Sequence, residues 1–544
     1  MRALTAEQMR KADRLTTERD GIPSLQLMEN AGAAVADYLA NIFPDLSNQR
    51  ILVLCGKGNN GGDGFVVARR LRERNAPPRV FLLAESSELR GDAATNMRRW
   101  QEGGGDLRVV SRADQWGAAR ECFDEADIVV DALLGTGVKG PVKGLLAAVI
   151  GDVNAWRSRQ KAAIRGAISR FVAAVDMPSG LPSGNEDFGG PIIRADATVT
   201  FTAPKVGQLL APAADSVGKL VVRSIGTPRD LLDLLEDGSN PRLRCLEPGE
   251  FRSLPMERKA DANKGSFGHA LIVAGSVGKS GAAVLGGRAA LRVGAGLVTV
   301  ATPADVLPVV AAGMPEMMTA PLLATEDGTV SLRNLESDRF AQVAHNKSVV
   351  AMGPGLSTNE ETQQFIRAVL QKMSLPVILD ADGLNAFTGH IEELVTRKPE
   401  LLALTPHPGE MGRLLNTTAR EVQNTRLETA LDAAKRWNAF VILKGFHTLL
   451  ATPDGRAYVN TTGNPGMATG GTGDVLTGML AGLTAEFGVR NWEQVLGLGV
   501  YLHGLAGDVA AERVGEAPLV ASDLINSLPE AYAQLMAQWH DVAH

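Results

Sequence analysis

Two glycine-rich turns, Asn59-Asn60-Gly61-Gly62-Asp63-Gly64 and Gly470-Gly471-Thr472-Gly473-Asp474, each carry a single aspartate and each lead into an apolar-patterned helix. Glycine at such a place lets backbone N–H groups approach a phosphate at the positive end of a helix. A carboxylate beside that phosphate would be repelled, so each aspartate needs a different task. In the later turn the Gly471, Thr472 and Gly473 amides can form an anion hole where negative charge develops during phosphoryl transfer. Asp474 is then the natural base, taking the proton of a substrate hydroxyl as its oxygen attacks a phosphoryl group. The competing description makes Asp474 a first-turn helix acid and His407 a packed loop histidine.

The earlier turn follows the apolar run Ile51 to Cys55. Gly56-Lys57-Gly58-Asn59-Asn60-Gly61 formally satisfies G-x-G-x-x-G, and Glu85 lies 24 residues past Gly61, where a ribose-binding acid would stand. Alone, that pattern fits a dehydrogenase, or a tight turn with Asp63 as an N-cap. Two further strand ends weaken both descriptions: Asp131-Ala132-Leu133-Leu134-Gly135-Thr136-Gly137 and Asp176-Met177-Pro178-Ser179-Gly180. The carboxyl ends of strands in an open parallel sheet converge on one crevice, so Asn59, Asn60, Asp63, Asp131, Asp176 and Ser179 can share a pocket. Oxygen donors with little histidine or cysteine suit a hard cation and not zinc. Lys139, in the Gly135 to Pro141 loop, is equally a phosphate contact or a solvated lysine. Further along, Gly275-Ser276-Val277-Gly278-Lys279-Ser280 invites a P-loop reading, but the motif needs glycine at 273, which is Val273, so Lys279 reads as a loop lysine. Chemistry-bearing residues are instead distributed over Gly353-Pro354-Gly355, Asp380 to Asn385, Thr405 to Glu410, Lys444 to Thr448 and Gly470 to Asp474.

Short apolar runs alternating with helical patterns must position these turns, which predicts α/β architecture with parallel sheets. The expected strands are Ile51 to Cys55, Arg79 to Leu83, Asp127 to Asp131, Phe171 to Asp176 and Ala197 to Phe201, then His269 to Ala274, Leu297 to Ala301, Ser348 to Met352, Pro376 to Asp380, Leu401 to Leu404 and Phe440 to Leu443. Thr5 to Asn41 reads as two helices broken at Gly21-Ile22-Pro23. The rhythm lapses between about Gly226 and Pro255, where Asp237-Gly238-Ser239-Asn240-Pro241 and Glu247-Pro248-Gly249 are turn signals. A chain of 544 residues is too long for one ordinary core, so two domains are expected. The halves show no mutual repeat beyond fold style and read as a fusion. Hydrophobic residues at 45%, charged residues at 21% and a dispersed net charge of −6 exclude a nucleic-acid footprint and a membrane-surface patch. Cys55, Cys122 and Cys245 read as core thiols of a reducing compartment. With no apolar signal core and no membrane-length run, a cytoplasmic location is expected. The small residues of Ala282 to Ala295 permit close helix packing between subunits, and a homo-oligomer is expected.

The first half resembles a known family. Leu27-Met28-Glu29-Asn30-Ala31-Gly32, the Asn59 to Gly64 loop, Asp131 with the Gly135 to Pro141 loop, and Asp176 to Gly180 together look like the YjeF N-terminal domain, the NAD(P)H-hydrate epimerase. The resemblance implies a Rossmann-like three-layer α/β/α domain over residues 1–225. It implies binding of the hydrated dinucleotide by Asn59, Asn60, Gly61, Gly62, Asp63, by Gly135, Thr136, Gly137, Val138, Lys139, Gly140, Pro141, and by Asp176. It places potassium on Asn60, Asp131 and Ser179. The reaction implied is interconversion of the R and S hydrates at C6 of the nicotinamide ring, with Asp176 as the group that moves the proton.

After a linker at 226–245, residues 246–544 resemble the ribokinase-like superfamily and, more closely, the YjeF C-terminal domain, the NAD(P)H-hydrate dehydratase. Gly281-Ala282-Ala283 and Val293 to Val298 add to the motifs already named. The resemblance implies a larger ribokinase-like α/β/α domain in which Ala282, Gly355, His407 and Asp474 contact the hydrate, with Asp474 catalytic. Lys444, Gly445, Phe446, His447, Thr448 and Gly473 would contact the nucleotide. ADP with Mg2+ would convert the hydroxide leaving group into phosphate, whose elimination restores NADH or NADPH. The expected partners are thus NADHX, NADPHX and ADP, with no nucleic acid or membrane. Two alternatives compete. One is a small-molecule kinase of a vitamin precursor fused to a dinucleotide-binding regulatory domain. The other is a binding module, which would predict damaged acids, yet Asp63, Asp131, Asp176 and Ser179 are all present.

Overall fold

Runs of valine, isoleucine, leucine and alanine that are apolar at every position can be satisfied only where both faces of a sheet are covered. The computed structural model, which describes residues 1–159, 170–184, 188–210, 213–235 and 242–541, places such runs at the centre of two compact units. One comprises residues 2–240, the other Met1 and residues 241–544.

In the first unit seven strands form one sheet: β1 (Ile51–Cys55), β2 (Arg79–Leu82), β3 (Leu107–Val109), β4 (Ile128–Ala132), β5 (Phe171–Val175), β6 (Ala197–Phe201) and β7 (Lys219–Arg223). Their order is β3-β2-β1-β4-β5-β6-β7 and every pairing is parallel. The chain runs outward from β1 to β3, then returns to β4 on the other side of β1. The carboxyl ends of β1 and β4 therefore part, opening a crevice between the two turns that follow them. The helix Asn59–Glu73 buries Phe65, Val67, Ala68 and Leu71 against the sheet. It sits close enough that a Cβ on Gly61 would lie 1.9 Å from the Gly56 carbonyl oxygen. The predicted N-terminal pair of helices is present as Ala6–Glu18, closed by a Thr5–Gln8 capping box, and Ser24–Ile42.

The second unit holds ten strands: β8 (Arg242–Cys245), β9 (His269–Val273), β10 (Leu297–Pro303), β11 (Met318–Leu322), β12 (Val349–Met352), β13 (Val377–Leu379), β14 (Leu402–Leu404), β15 (Phe440–Leu443), β16 (Leu449–Ala451) and β17 (Arg456–Val459). They lie in the order β11-β10-β9-β12-β13-β14-β15-β16-β17-β8. Only the hairpin pairings β15–β16 and β16–β17 are antiparallel. The direction of chain progress reverses between β9 and β12, so again one crevice is set at carboxyl ends.

Six of these strands went unforeseen: β3, β7, β8, β11, β16 and β17. β3 and β11 are partly exposed ends of their sheets, and β11 contains Pro321, which breaks the strand pattern. β8 falls in the stretch expected to link the halves, and the helix Arg229–Leu234 occupies part of the same stretch. Cys55 and Cys245 are buried free thiols, while the Cys122 side chain lies outside the described residues. Among the described residues no helix is long and apolar enough to cross a membrane.

The small residues between 282 and 295 have a use inside the second unit. The helix Ser280–Arg292 packs on the helix Thr472–Phe487, which is buried from Val475 to Ala485. At their contact a Cβ on Gly478 would stand 2.1 Å from the Gly286 oxygen, and one on Gly482 would stand 2.4 Å from the Ala290 oxygen. Gly478→Ala should therefore destabilise the second unit by about 1–3 kcal/mol, the range of an overpacked core. Gly281→Ala, where a Cβ meets nothing within 4 Å, should not. Denaturant midpoints of the two variants check this.

Candidate active sites

The turns after β1 and β4, together with Asp176 after β5, open on one cavity of about 940 Å3 in the first unit. Of the residues expected to touch a dinucleotide, Asn59, Asn60, Asp63, Gly135, Thr136, Gly137, Val138, Gly140 and Asp176 line it. Gly61, Gly62, Lys139 and Pro141 do not. Gly61 and Gly62 are buried in the helix start, whereas Lys139 and Pro141 are exposed. Asp63 is the fifth residue of its helix, whose N-cap is Gly58, so it caps nothing. Burial, reinforced by Asp176 and Asp13, holds its carboxyl well above the usual range. Glu85, the would-be ribose acid, does not line the cavity and accepts a hydrogen bond from Ser111 Oγ at 2.5 Å.

Behind the cavity wall, Asp131 is 0% exposed. Its Oδ2 accepts from the Ser179 amide at 2.7 Å, and its Oδ1 from Ser179 Oγ at 2.5 Å and the Leu133 amide at 3.2 Å. Asn60 Nδ2 donates to the Leu134 oxygen at 3.0 Å, which brings its side-chain oxygen to the same loop. Burial pushes the Asp131 carboxyl up to about 6, and no described cationic side chain counters it. A buried carboxylate ringed only by oxygen and amide groups fits a hard cation that Asn60, Asp131 and Ser179 would hold.

Asp176 has φ +60, a left-handed conformation that costs a non-glycine residue on the order of 1 kcal/mol. Its backbone is fixed on both sides: its amide donates to the Val199 oxygen at 2.9 Å, and Gln208 Nε2 donates to its carbonyl at 2.5 Å. Its Oδ1 accepts from Lys205 Nζ at 2.5 Å and from Thr200 Oγ1 at 3.0 Å. Lys205 is 1% exposed, and it spends its remaining donors on Thr200 Oγ1 at 2.8 Å and the Phe201 oxygen at 3.2 Å. The helix Ala6–Glu18 adds Asp13 to the cavity wall. Burial raises the Asp13 carboxyl to about 6, Asp176 adds to this and Lys205 opposes it. Lys205 and Asp13 were not anticipated. Lys205 could have been, because it closes a small loop after β6, the strand next to β5. Asp13 offers no sequence signal beyond being one acid among several on an amphipathic helix.

In the second unit the carboxyl ends of β13, β14 and β15 meet around a buried ion pair. Lys444 Nζ donates to Asp380 Oδ1 at 2.6 Å, and Thr477 Oγ1 donates to Asp380 Oδ2 at 2.7 Å. Glu410 Oε2 is 3.8 Å from the same ammonium. Burial pulls the Lys444 ammonium down, but Asp380, Glu410 and Asp474 more than reverse this and hold it above its ordinary value. Asp474 stands in the first turn of the helix Thr472–Phe487, after Gly471 at φ +92. Burial and the Asp380 charge push its carboxyl up to about 6, against the pull of Lys444. A Cβ on Gly473 would lie 3.4 Å from Lys444 Nζ, so that turn packs close to the ammonium. Behind it His503, buried and held down to about 4, bonds the Thr472 oxygen through Nε2 at 2.9 Å.

His407 is the N-cap of the helix Pro408–Leu415: its Nδ1 accepts from the Gly409 and Glu410 amides at 3.0 and 3.3 Å. Burial lowers its proton affinity, so the ring is neutral and half exposed beside Lys444. Across the crevice a Cβ on Gly355 would lie 3.1 Å from that of Ala282. Lys279 reaches Asp382 Oδ2 at 3.2 Å, making the expected loop lysine an ion-pair partner. The Gly445–Thr448 loop follows Lys444. Phe446, 48% exposed, stacks its ring on His447 with centroids 4.0 Å apart. Beneath the loop the fully buried Arg426 donates through Nη2 to the Leu443 and His447 oxygens at 3.2 and 3.3 Å. Burial brings that guanidinium down to about 10. Gly445, at φ +138, has no room for a Cβ, which would fall 2.6 Å from Arg426 Nη1. Arg426 was not anticipated.

A family model described as NAD(P)H-hydrate dehydratase matches residues 270–530, and one described as YjeF-related protein N-terminus matches residues 24–207. Among solved structures, the ADP/ATP-dependent NAD(P)H-hydrate dehydratase from Bacillus subtilis, co-crystallized with ATP/Mg2+, is 32% identical and covers 54% of this chain and 98% of its own, with a TM-score of 0.47. Two relatives extend over nearly the whole chain. The bifunctional NAD(P)H-hydrate repair enzyme Nnr of Moorella thermoacetica is 44% identical over 97% of this chain and 96% of its own. That of Thermofilum pendens is 38% identical over 100% of this chain and 98% of its own. By these full-length likenesses the chain belongs to the bifunctional NAD(P)H-hydrate repair enzymes.

Proposed function

We propose that the first cavity interconverts the R and S hydrates of NADH and NADPH, and that the second crevice dehydrates the S hydrate at the expense of ADP. The observation that carries this reading is that one chain holds two separate acid centres, each in the carboxyl-end crevice of its own parallel sheet. In the first, the loops bearing Asn59 to Asp63 and Gly135 to Pro141 cradle the dinucleotide, and Asp176, oriented by Lys205, moves the proton that epimerisation at C6 requires. Potassium sits on Asn60, Asp131 and Ser179, where it neutralises a carboxylate that has no cationic neighbour. All of these residues fall within 1–225, and those of the dehydratase within 246–544.

In the second, Ala282, Gly355 and His407 bound the hydrated ring next to Asp474, and Lys444 to Thr448 with Gly473 take the nucleotide. The substrate hydroxyl oxygen attacks the terminal phosphoryl group of ADP, the bond from that phosphorus to the bridging oxygen breaks to release AMP, and Asp474 accepts the hydroxyl proton. Lys444 and the amides at the start of the helix Thr472–Phe487 meet the charge that develops on the phosphoryl oxygens. Cleavage of the C6–O bond then releases phosphate, and loss of a neighbouring ring proton restores the dihydronicotinamide. Among the described residues no group of three or more His, Cys, Asp or Glu is placed to hold a metal ion. That donor set suits magnesium arriving on the nucleotide phosphates, where it neutralises charge, and not a resident protein cage.

A mixture of R and S hydrates supplied with ADP should be converted completely to NADH, as followed by its absorbance. Conversion that stops when the S form is exhausted would remove the epimerase from the reading.

Asp474→Asn should lower the dehydration kcat about 10²–10⁴-fold, the usual contribution of a general base, and leave R/S interconversion unchanged. Because the base form is required, wild-type dehydration should fall as pH drops through about 6. A pH profile on pure S hydrate reads this out.

The Asp131 carboxyl is raised in the folded state, so its ionised form costs stability above about pH 6 and costs nothing at low pH. A bound cation offsets that cost. Replacing sodium by potassium should raise the melting temperature of the first unit at about pH 8 and not at about pH 5. Asp131→Asn should abolish the difference, as calorimetry would show.

A further inference from the structure

Epimerisation at C6 needs two proton movements. C6 carries the hydroxyl and is bonded to the ring nitrogen N1, so the C6–O bond can break when the hydroxyl is protonated. The N1 lone pair then forms an N1=C6 double bond and water departs. Water must next add to the opposite face of C6 and surrender a proton, while the N1=C6 electron pair returns to N1. Nothing is oxidised or reduced, but one group must give a proton and another must take one. Asp176 alone supplies a single carboxylate for both tasks.

The cavity wall contains more than Asp176. Asp63, from the helix Asn59–Glu73, and Asp13, from the helix Ala6–Glu18, line the same cavity together with Lys205. Three carboxyls close enough to perturb one another share one buried ammonium, so they cannot all be ionised together. Lys205 is committed to Asp176 at 2.5 Å. Asp13 has an unused oxygen of its own: its Oδ1 is buried and has no hydrogen-bond partner. A buried polar atom left bare is costly in a folded protein unless a ligand completes it. The other charged groups near Asp13 do not complete it. Arg10 lines the cavity on the same helix. On the helix Arg229–Leu234, which packs against this one, Asp230 is paired with Arg19 at 2.9 Å.

We propose that Asp13 is a second catalytic residue of the epimerase centre, a carboxylic acid that protonates the departing C6 hydroxyl while Asp176 accepts the proton of the water entering on the other face. One turnover leaves the proton on Asp176 and its absence on Asp13. That is the state that carries the reverse reaction with the roles exchanged, so the pair serves both epimers. The two groups come from different elements that line one cavity, a helix at the N-terminus and the end of β5. Burial holds the Asp13 carboxyl at about 6, against an ordinary value of 3.8, so a protonated fraction persists near neutrality.

The proposal rests on the epimerase reading, and the test separates the two. Pure R hydrate is given to the full-length chain without nucleotide, and S hydrate is followed by chromatography. Asp13→Asn should slow interconversion about 10²–10⁴-fold, with dehydration of S hydrate by ADP unchanged. The wild-type rate should fall as pH rises past about 6, and the variant should lose that limb. Asp13→Glu, which keeps a carboxyl, should retain it. Because an ionised Asp13 is buried without a partner, Asp13→Asn should also raise the melting temperature at about pH 8, a change opposite to that of a structural defect. Interconversion by Asp13→Asn within about twofold of wild type overturns the proposal alone. A wild-type chain that leaves R hydrate unchanged overturns the proposal and the epimerase reading together. If Asp13→Asn does not fold, Asp13→Glu decides: a high-pH limb that persists but is displaced supports the proposal, and one unchanged in position and slope from wild type overturns it.

Discussion

Every functional group in this chain is governed by the cost of placing a carboxylate at the end of a strand whose two faces are dry. A parallel sheet has no exposed face on which to put chemistry, so reactive side chains appear only where strands stop. There they are partly withdrawn from water, and each ionised carboxyl must find a cation, a set of N–H donors or a proton. Asp131, Asp176 and Asp380 stand at or just beyond such boundaries, Asp474 stands in the first turn of a helix beside one of them, and each meets this requirement differently. Asp176 and Asp380 take a lysine ammonium, at 2.5 and 2.6 Å. Asp131 takes amide and hydroxyl donors and is left short of a cation. Asp474 takes none of these fully, and its carboxyl rises to about 6.

These solutions distinguish groups that hold from groups that react. Asp380, fixed by Lys444 and Thr477, is saturated and serves to keep an ammonium where phosphoryl oxygens will gather. Asp474 shares that ammonium's field without a direct bond to it, which leaves its lone pairs for a substrate proton. The same division runs through the first centre. Lys205 is buried with its donors spent on Asp176, Thr200 and Phe201, so its part is to orient Asp176. The strained backbone at Asp176 has the same meaning: hydrogen bonds on both sides, to the Val199 oxygen and from Gln208 Nε2, fix a conformation the residue would otherwise leave, and the carboxylate is aimed before any ligand arrives.

Much of this was legible because glycine and aspartate at strand ends are locally encoded. The central strands, the two N-terminal helices, the convergence of the Asn59, Asp131 and Asp176 turns, and the clustering of Asp380, His407, Lys444 and Asp474 follow from apolar runs that end in turn residues. The six missed strands follow from the opposite circumstance. Edge strands such as Met318–Leu322 have mixed burial, and Leu449–Ala451 is too short to show a period. Charged partners from distant elements were illegible for another reason. Asp13 acts with Asp176 and Lys205, and Arg426 with Leu443 and His447, all on other elements, and nothing in a local window separates either from a solvated charge. Gly61 and Gly62 show the reverse case. Glycine was assigned to ligand approach where the close approach is to the Gly56 carbonyl and Met28.

The two centres use carboxyls raised to the same value for opposite ends. Asp13 reaches about 6 because one oxygen is buried bare, and Lys205 only partly offsets this. Asp474 reaches about 6 because burial, reinforced by Asp380, outweighs the pull of Lys444. A group that must donate to a departing hydroxyl benefits from holding its proton, and a group that must accept from an attacking hydroxyl benefits from being basic yet ionised near neutrality. A carboxyl at its ordinary value would be too weak a base for the second task and would carry too little proton for the first. Raising both by burial meets both needs with one residue type, and each local charge balance sets which form the chemistry draws on.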